Sequence, residues 1–157
     1  MKAATVSELK KELNTRSEKE LIALCLRLSK FKKENKELLT YLLYESDNEM
    51  GYIRTVQQEI DVQFTEINTK TYYFIKKSVR KILRNIKKYI RYSGKKQTEV
   101  ELLMYFCRKL KRMTPSMRRS TVLVNIYEGQ IRMIRKAMAK LHEDLQFDYE
   151  EELNELI

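Results

Sequence analysis

The chain has 157 residues, a usual length for a single domain. It contains only three glycines and one proline, and this scarcity excludes most β architectures, because hairpins and bulges depend on those residues. The net charge of +10 comes with 43% hydrophobic residues, which is too apolar for a disordered chain.

Two capping boxes of the form S/T-x-x-E stand near the N-terminus, at residues 5–8 and 17–20. They predict a short helix that ends near Leu13 and a long helix that follows it. From Leu21 to Leu42, apolar residues recur at alternating spacings of three and four, with Asn35 at a core position of this heptad pattern. Because neighbouring apolar residues widen the face, the pattern favours a central bundle helix over a coiled-coil dimer.

A second apolar stripe crosses residues 48–92, which form either two helices or one helix with a weak middle, since residues 68–73 are poor helix formers. Gly94 suits the end of this stretch. A third capping box at residues 98–101 predicts a helix to Met113, followed by a loop that contains Pro115. The last helix is expected over residues 121–146, and a close helix contact would explain Gly129 inside it.

These elements predict an all-α protein, a bundle of five to six helices with one or two long helices, or alternatively a short HEAT-like α-solenoid. We expect one helical domain over residues 1–147 and an acidic C-terminal tail over residues 148–157. Cys25 and Cys107 are expected to be buried free thiols in a reducing compartment, although the sequence leaves a disulfide open. No secretory signal and no apolar run of about 20 residues is visible, so we expect a cytoplasmic location.

The charge is strongly segregated along the chain. Residues 1–66 carry a net charge of −1, residues 67–98 carry +11 with no acidic group, residues 99–142 carry +7, and residues 143–157 carry −7. On a helix over residues 75–92, the cations lie opposite the apolar residues within an arc of about 140°. These predicted polyanion-binding residues are Lys76, Lys77, Arg80, Lys81, Arg84, Lys87, Lys88 and Arg91.

Four hypotheses account for this basic face. It binds nucleic acid or another polyphosphate, it pairs with acidic segments of its own chain or of a partner subunit, it lies on an anionic membrane, or it is solvated without a partner. Nucleic acid is the leading expectation and an acidic protein surface or homo-oligomer the alternative. A membrane is disfavoured because the apolar arc lacks Trp and Phe. The acidic groups of the C-terminal segment are Glu143, Asp144, Asp148, Glu150, Glu151, Glu152 and Glu155.

Two further sets of residues bear on nucleic-acid binding. A second basic cluster would extend the surface if it lay beside the first, and it consists of Arg108, Lys109, Lys111, Arg112, Arg118 and Arg119. Tyrosines near the basic run either stack on single-stranded bases or line the rim of the core, and these are Tyr72, Tyr73, Tyr89 and Tyr92. No motif for base-specific recognition is present.

The sequence offers little for catalysis. His142 is the only histidine, no metal-binding helix motif is present, and the three glycines stand apart, so no glycine-rich phosphate loop exists. Beside Glu143 and Asp144, His142 is expected to be a solvated residue at a helix end. We therefore expect a non-enzymatic binding protein without cofactor, metal or small-molecule substrate.

Residues 5–13 and 19–28 resemble the SAP motif, a small two-helix DNA-binding module. The resemblance covers about 24 residues of the 157. It implies two short helices and DNA as a partner, but the glycine-containing loop of the family is missing and the second predicted helix is longer than the family's.

Overall fold

The structure is a computed structural model that describes all 157 residues. It confirms the all-α class, with eight α-helices and no strand. The helices are α1 (Val6–Leu13), α2 (Glu18–Phe31), α3 (Lys33–Thr40), α4 (Glu49–Thr65), α5 (Tyr72–Ser93), α6 (Lys96–Arg112), α7 (Thr121–Met138) and α8 (Glu143–Leu156), with a π-helical turn at Tyr41–Glu45 and a 3₁₀ turn at Met117–Arg119. The chain forms two compact units, residues 1–44 and 45–157. No helix combines the length and the apolar character that crossing a membrane would need.

The first unit begins with the two predicted capping boxes, and both are confirmed at the starts of α1 and α2. The predicted long helix is interrupted, because Lys32 has an extended backbone between α2 and α3. The side-chain amide of Asn35 donates to the carbonyl of Leu28 at 2.8 Å. The helix leaves the carbonyls of its last turn without intrahelical partners, and Asn35 provides a donor for one of them. Asn35 therefore does not occupy a core position in one continuous heptad helix.

Most apolar side chains of the first unit are exposed, and Ser29 and Tyr41 are its buried residues. The prediction of a central bundle helix over this stretch was therefore wrong. Cys25 is exposed, contrary to expectation, while Cys107 in the second unit is buried as expected, and neither is in a disulfide. Burial raises the pKa of the Cys107 thiol to about 12.

The second unit is organised around α6, which packs against α4, α5, α7 and α8. Because α6 is covered from several sides, most of its apolar side chains are inaccessible to solvent. Its buried residues are Thr98, Val100, Leu102, Leu103, Met104, Phe106, Cys107 and Leu110. The choice between a bundle and an α-solenoid stays a prediction.

Residues 48–92 form two helices, α4 and α5, separated at residues 66–71. Gly94 ends α5 with a φ of +69°, a left-handed conformation that glycine adopts without strain. The third predicted capping box was wrong, since α6 begins at Lys96 and Thr98 lies inside the helix. The hydroxyl of Thr98 is buried and donates to Glu49, so it is not free to cap.

The C-terminal region contains two helices where the sequence predicted one helix and an acidic tail. The predicted helix over residues 121–146 ends at Met138, and residues 143–156 form α8. The expected boundary at 147/148 therefore lies inside a helix. Apolar residues at spacings of four and three place one face of α8 in the core, which buries Tyr149, Leu153 and Leu156.

Gly129 is not explained by a close helix contact. A Cβ atom added there would meet only a terminal nitrogen of Arg132, at 3.7 Å, and no atom of another helix within 4 Å. The eight helices exceed the expected five to six because the chain breaks at Lys32 and at residues 139–142, where no glycine or proline marks the break.

Candidate polyanion-binding face

Helix α5 is fixed in the second unit by its apolar side. Thr71 caps its first turn by accepting from the backbone N–H of Phe74, and α5 packs against α4 and α6. Two hydrogen bonds join it to α4: the hydroxyl of Tyr52 donates to the Tyr89 carbonyl at 2.7 Å, and the hydroxyl of Tyr89 donates to Glu59 at 2.9 Å. The side chains of the apolar side are at most 9% exposed, namely Ile75, Val79, Ile82, Leu83 and Ile86.

All eight predicted cations lie on α5, within an arc of about 140° opposite this apolar side. We call them the basic face. Lys76, Lys87 and Lys88 are half-buried, and the other five are exposed. From Lys77 to Arg91 the face is about 21 Å long, at 1.5 Å per residue. The exposed members are Lys77, Arg80, Lys81, Arg84 and Arg91.

Seven of the eight cations of the basic face, all except Lys88, have no acidic partner within the second unit. The ammonium of Lys88 lies 5.3 Å from the ring centre of Tyr89, within the range of a cation–π interaction. None of the other seven side chains lies within 4.0 Å of a carboxylate oxygen. These seven cations therefore form a surface of uncompensated positive charge on α5.

The second basic cluster does not extend this surface as a whole, because half of it is engaged. Arg108 forms an ion pair with Glu152 at 3.1 Å, and Lys109 forms one with Asp61 at 3.0 Å. Lys111 donates to the backbone carbonyl of Glu155 at 2.8 Å. The remaining members, which are exposed, are Arg112, Arg118 and Arg119.

The acidic C-terminal segment contacts α6 rather than α5. Helix α8 packs against α6 and α7, and Glu152 and Glu155 make the contacts to the second basic cluster just described. The acidic groups of α8 leave the basic face uncovered within the chain. Four of them, which stay exposed, lie in one stripe at spacings of four, three and four, and they are Asp144, Asp148, Glu151 and Glu155.

A cleft of about 430 Å³ lies at the C-terminal end of the basic face. Lys87 and Arg91 line it together with Lys95 and Lys96, over apolar side chains that include Leu103. Lys95 lies 3.5 Å from Glu49, and Lys96 forms an ion pair with Glu99 at 2.9 Å, so these two cations are partly neutralised. The uncompensated charge in the cleft therefore comes from the basic face.

The four tyrosines near the basic run differ in their contacts and in their exposure to solvent. The hydroxyl of Tyr72 donates to the Ser116 carbonyl at 2.8 Å, and Tyr89 and Tyr92 contact each other with ring centres 6.0 Å apart. Tyr73, by contrast, is 64% exposed.

Phe74, which the sequence reasoning missed, is 40% exposed and lies edge-on to the Tyr73 ring, with ring centres 5.4 Å apart. Its position in the sequence, next to Tyr73 and directly before the first cations, is the signal that would have identified it as an exposed aromatic residue near the basic face.

His142 and Tyr105 both form hydrogen bonds within the second unit. The Nδ1 atom of His142 accepts from the backbone N–H of Asp144 and so caps α8. No three His, Cys, Asp or Glu side chains lie close enough together to hold a metal ion. The hydroxyl of Tyr105 donates to Asp61, and burial, followed by this bond, raises the pKa of Tyr105 to about 12.

No family model, no curated protein and no solved structure matches this chain. The uncompensated cations of α5 are therefore the feature from which a function is inferred.

Proposed function

We propose that the protein is a non-enzymatic binding module that binds nucleic acid through the basic face of α5. The observation that carries this proposal is the absence of acidic partners for seven of its eight cations. Like charges at i,i+4 destabilise a helix, so this arrangement has a cost in the free protein. A polyanion removes the repulsion and releases its condensed counterions, which is the main source of affinity in non-specific nucleic-acid binding.

The dimensions of the face suit a phosphate backbone. Its length of about 21 Å, at 1.5 Å per residue, equals about six nucleotide steps of 3.4 Å along one strand. The apolar side of α5 is buried, so the cations are presented by a fixed helix rather than by a mobile tail. Because contacts to phosphates carry no sequence information, we expect binding that depends strongly on salt and weakly on sequence.

Fluorescence anisotropy with labelled single- and double-stranded oligonucleotides, over about 50 to 200 mM salt, tests this proposal. The logarithm of the affinity should fall linearly with the logarithm of the salt concentration, with a slope of about −0.7 to −0.9 per neutralised phosphate. The triple substitution Arg80/Arg84/Lys88→Glu should abolish binding, because it reverses three charges at the centre of the face. Failure of the wild type to bind either probe at low salt would refute the proposal.

A matched control separates the basic face from net charge. Lys10/Lys30/Lys36→Glu changes three exposed cations of the first unit and lowers the net charge from +10 to +4, as the test variant does. We expect this control to keep most of the affinity. Equal losses in both variants would show that total charge, not α5, controls binding.

A second candidate function is protein interaction, with α5 of one subunit paired to α8 of another. The acidic stripe of α8 has the same spacing of four, three and four residues as a row on the basic face, which consists of Arg80, Arg84, Lys87 and Arg91. Two helices with charges in matching register can form a ladder of ion pairs between subunits.

Light scattering distinguishes the two functions. If α5 pairs with α8, the protein should be a dimer at low salt and a monomer at high salt, and Asp148/Glu151→Lys should be monomeric throughout. Both residues are exposed, so the substitution leaves the buried side of α8 intact. A monomer under all conditions would exclude this candidate and leave the nucleic-acid proposal unaffected.

A further inference from the structure

Viewed along the helix axis, Tyr73 points in the same direction as the centre of the basic face. At about 100° per residue, its direction from the helix axis falls within roughly 20° of those of Arg80 and Arg84. It precedes the first cations by one turn of α5. A large aromatic ring therefore stands in line with the phosphate-binding side chains.

The ring of Tyr73 is available to a ligand. It is 64% exposed, and its one ring contact is the edge-on approach of Phe74. Tyr72 and Tyr89, in contrast, use their hydroxyl groups for hydrogen bonds within the protein. In a T-shaped pair the edge of one ring contacts one face of the other, so at least one face of the Tyr73 ring is free of aromatic contact.

An open aromatic face among cations is the combination that binds single strands. Bases stack on aromatic side chains while cations follow the backbone. In a duplex, each base is already stacked between its neighbours and offers no free face. A tyrosine in line with the cations of a duplex-binding surface would therefore have no base face to stack on.

We infer that the basic face binds single-stranded nucleic acid, with one base stacked on Tyr73 and with phosphates about three and five nucleotides further along the strand bound by Arg80 and Arg84. This inference rests on the proposed function and defines its ligand class. The distance from Tyr73 to Arg91 along the helix is about 27 Å, at 1.5 Å per residue. It corresponds to about eight steps of 3.4 Å, so a probe of about 15 nucleotides covers the face.

The chain contains no tryptophan, which permits a direct test of stacking. Tyr73→Trp introduces the sole tryptophan at the inferred contact, and stacking on a base should quench its fluorescence. We expect quenching by oligothymidine and by oligouridine of about 15 nucleotides, since both present free base faces. A duplex of equal length should leave the fluorescence nearly unchanged.

Phe147→Trp provides the matched control. Phe147 is an aromatic residue of α8 that is 72% exposed, and α8 packs on α6 and α7. A tryptophan there should not be quenched by either probe. Quenching at both positions would show non-specific collision instead of stacking at Tyr73 and would count against the inference.

Affinity measurements give an independent readout. Tyr73→Ala should weaken single-strand binding by roughly 5- to 150-fold, the range of losses when a base-stacking aromatic is removed. It should leave duplex binding almost unchanged, and Tyr73→Phe should restore single-strand binding because the ring is retained. Phe147→Ala should have no effect on either probe.

The outcomes separate this inference from the proposed function. Salt-dependent binding that is lost in Arg80/Arg84/Lys88→Glu but is indifferent to Tyr73→Ala would uphold the basic face and overturn the stacking contact. Tighter binding of the duplex than of the single strand would also overturn it. Absence of binding to both probes would refute the proposed function itself.

Discussion

Glu49 is the residue whose replacement should most directly loosen the second unit. It begins α4, and one of its carboxylate oxygens accepts hydrogen bonds from the hydroxyls of Ser93 and Thr98. The other oxygen lies 3.5 Å from the ammonium of Lys95. One carboxylate with a side chain 17% exposed thus joins the start of α4 to the end of α5 and the start of α6.

The size of the effect follows from these contacts. A hydrogen bond to a charged group contributes about 1.5 to 3 kcal/mol, and a buried hydroxyl left without a partner costs about 1 to 3 kcal/mol. Thr98 is fully buried, so its hydroxyl cannot turn to water when the carboxylate is removed. We therefore expect Glu49→Ala to lower the free energy of unfolding by about 3 to 4 kcal/mol, and Glu49→Gln by about 2 kcal/mol.

Urea unfolding followed by circular dichroism measures these changes in a double-mutant cycle with Thr98→Val. The valine keeps the shape of Thr98 and removes its hydroxyl, so the cycle should give a coupling energy of about 1 to 2 kcal/mol. Glu150→Gln, at an exposed position of α8, is the control and should change stability by less than about 0.5 kcal/mol. A coupling energy below about 0.5 kcal/mol would refute the assigned hydrogen bond, since independent sites add within that margin.

Three other predictions concern backbone, protonation and charge. Gly94→Ala should destabilise the protein by about 1 kcal/mol, because the φ of Gly94 is +69°. Gly129→Ala should stabilise α7 by a similar amount, because alanine favours a helix and a Cβ atom fits at this position. Thermal unfolding measures both changes, and a change of stability in the same direction for both variants would contradict the reasoning. The pKa values of Tyr105 and Tyr127 are raised, chiefly by burial, from 10.0 to about 12. In the unfolded chain these tyrosines lose their protons near pH 10, before they do so in the folded protein. Their contribution to the free energy of unfolding should therefore be fully present below pH 10 and should be lost as the pH rises to about 12. The absorbance of tyrosinate should show this higher titration range in the folded protein only. Arg84→Gln should reduce the magnitude of the salt slope by about 0.7 to 0.9, and an unchanged slope would mean that Arg84 contacts no phosphate.

The parts of the fold that follow from local patterns were predicted from the sequence. The capping boxes of α1 and α2 involve residues three apart, and the amphipathic pattern of α5 needs only the helical period. The eight cations of the basic face were found for the same reason. Their position depends on the phase of one helix and not on the packing of the chain.

The breaks at Lys32 and at residues 139–142 were not predictable in this way, because they depend on specific side-chain bonds to the backbone. The amide of Asn35 bonds to the Leu28 carbonyl, and the amide of Gln146 bonds to the Leu141 carbonyl at 2.7 Å. The engagement of the second basic cluster was equally hidden, since Arg108 and Glu152 are 44 residues apart. Pairing of this kind becomes visible only when the helices are packed.

The distribution of acidic residues in the second unit supports a partner for the basic face. Glu49, Asp61 and Glu152 all make contacts that involve α6, while α5 contains no acidic residue. On α5, five pairs of cations stand four residues apart, and each such pair destabilises a helix by about 0.2 to 0.5 kcal/mol. Replacing one member of each pair with Glu would turn this repulsion into attraction of similar size, a total difference of about 2 to 5 kcal/mol. A helix whose only requirement is stability would contain some of those replacements, so the uniform sign of the charge on α5 supports the proposal of an anionic partner.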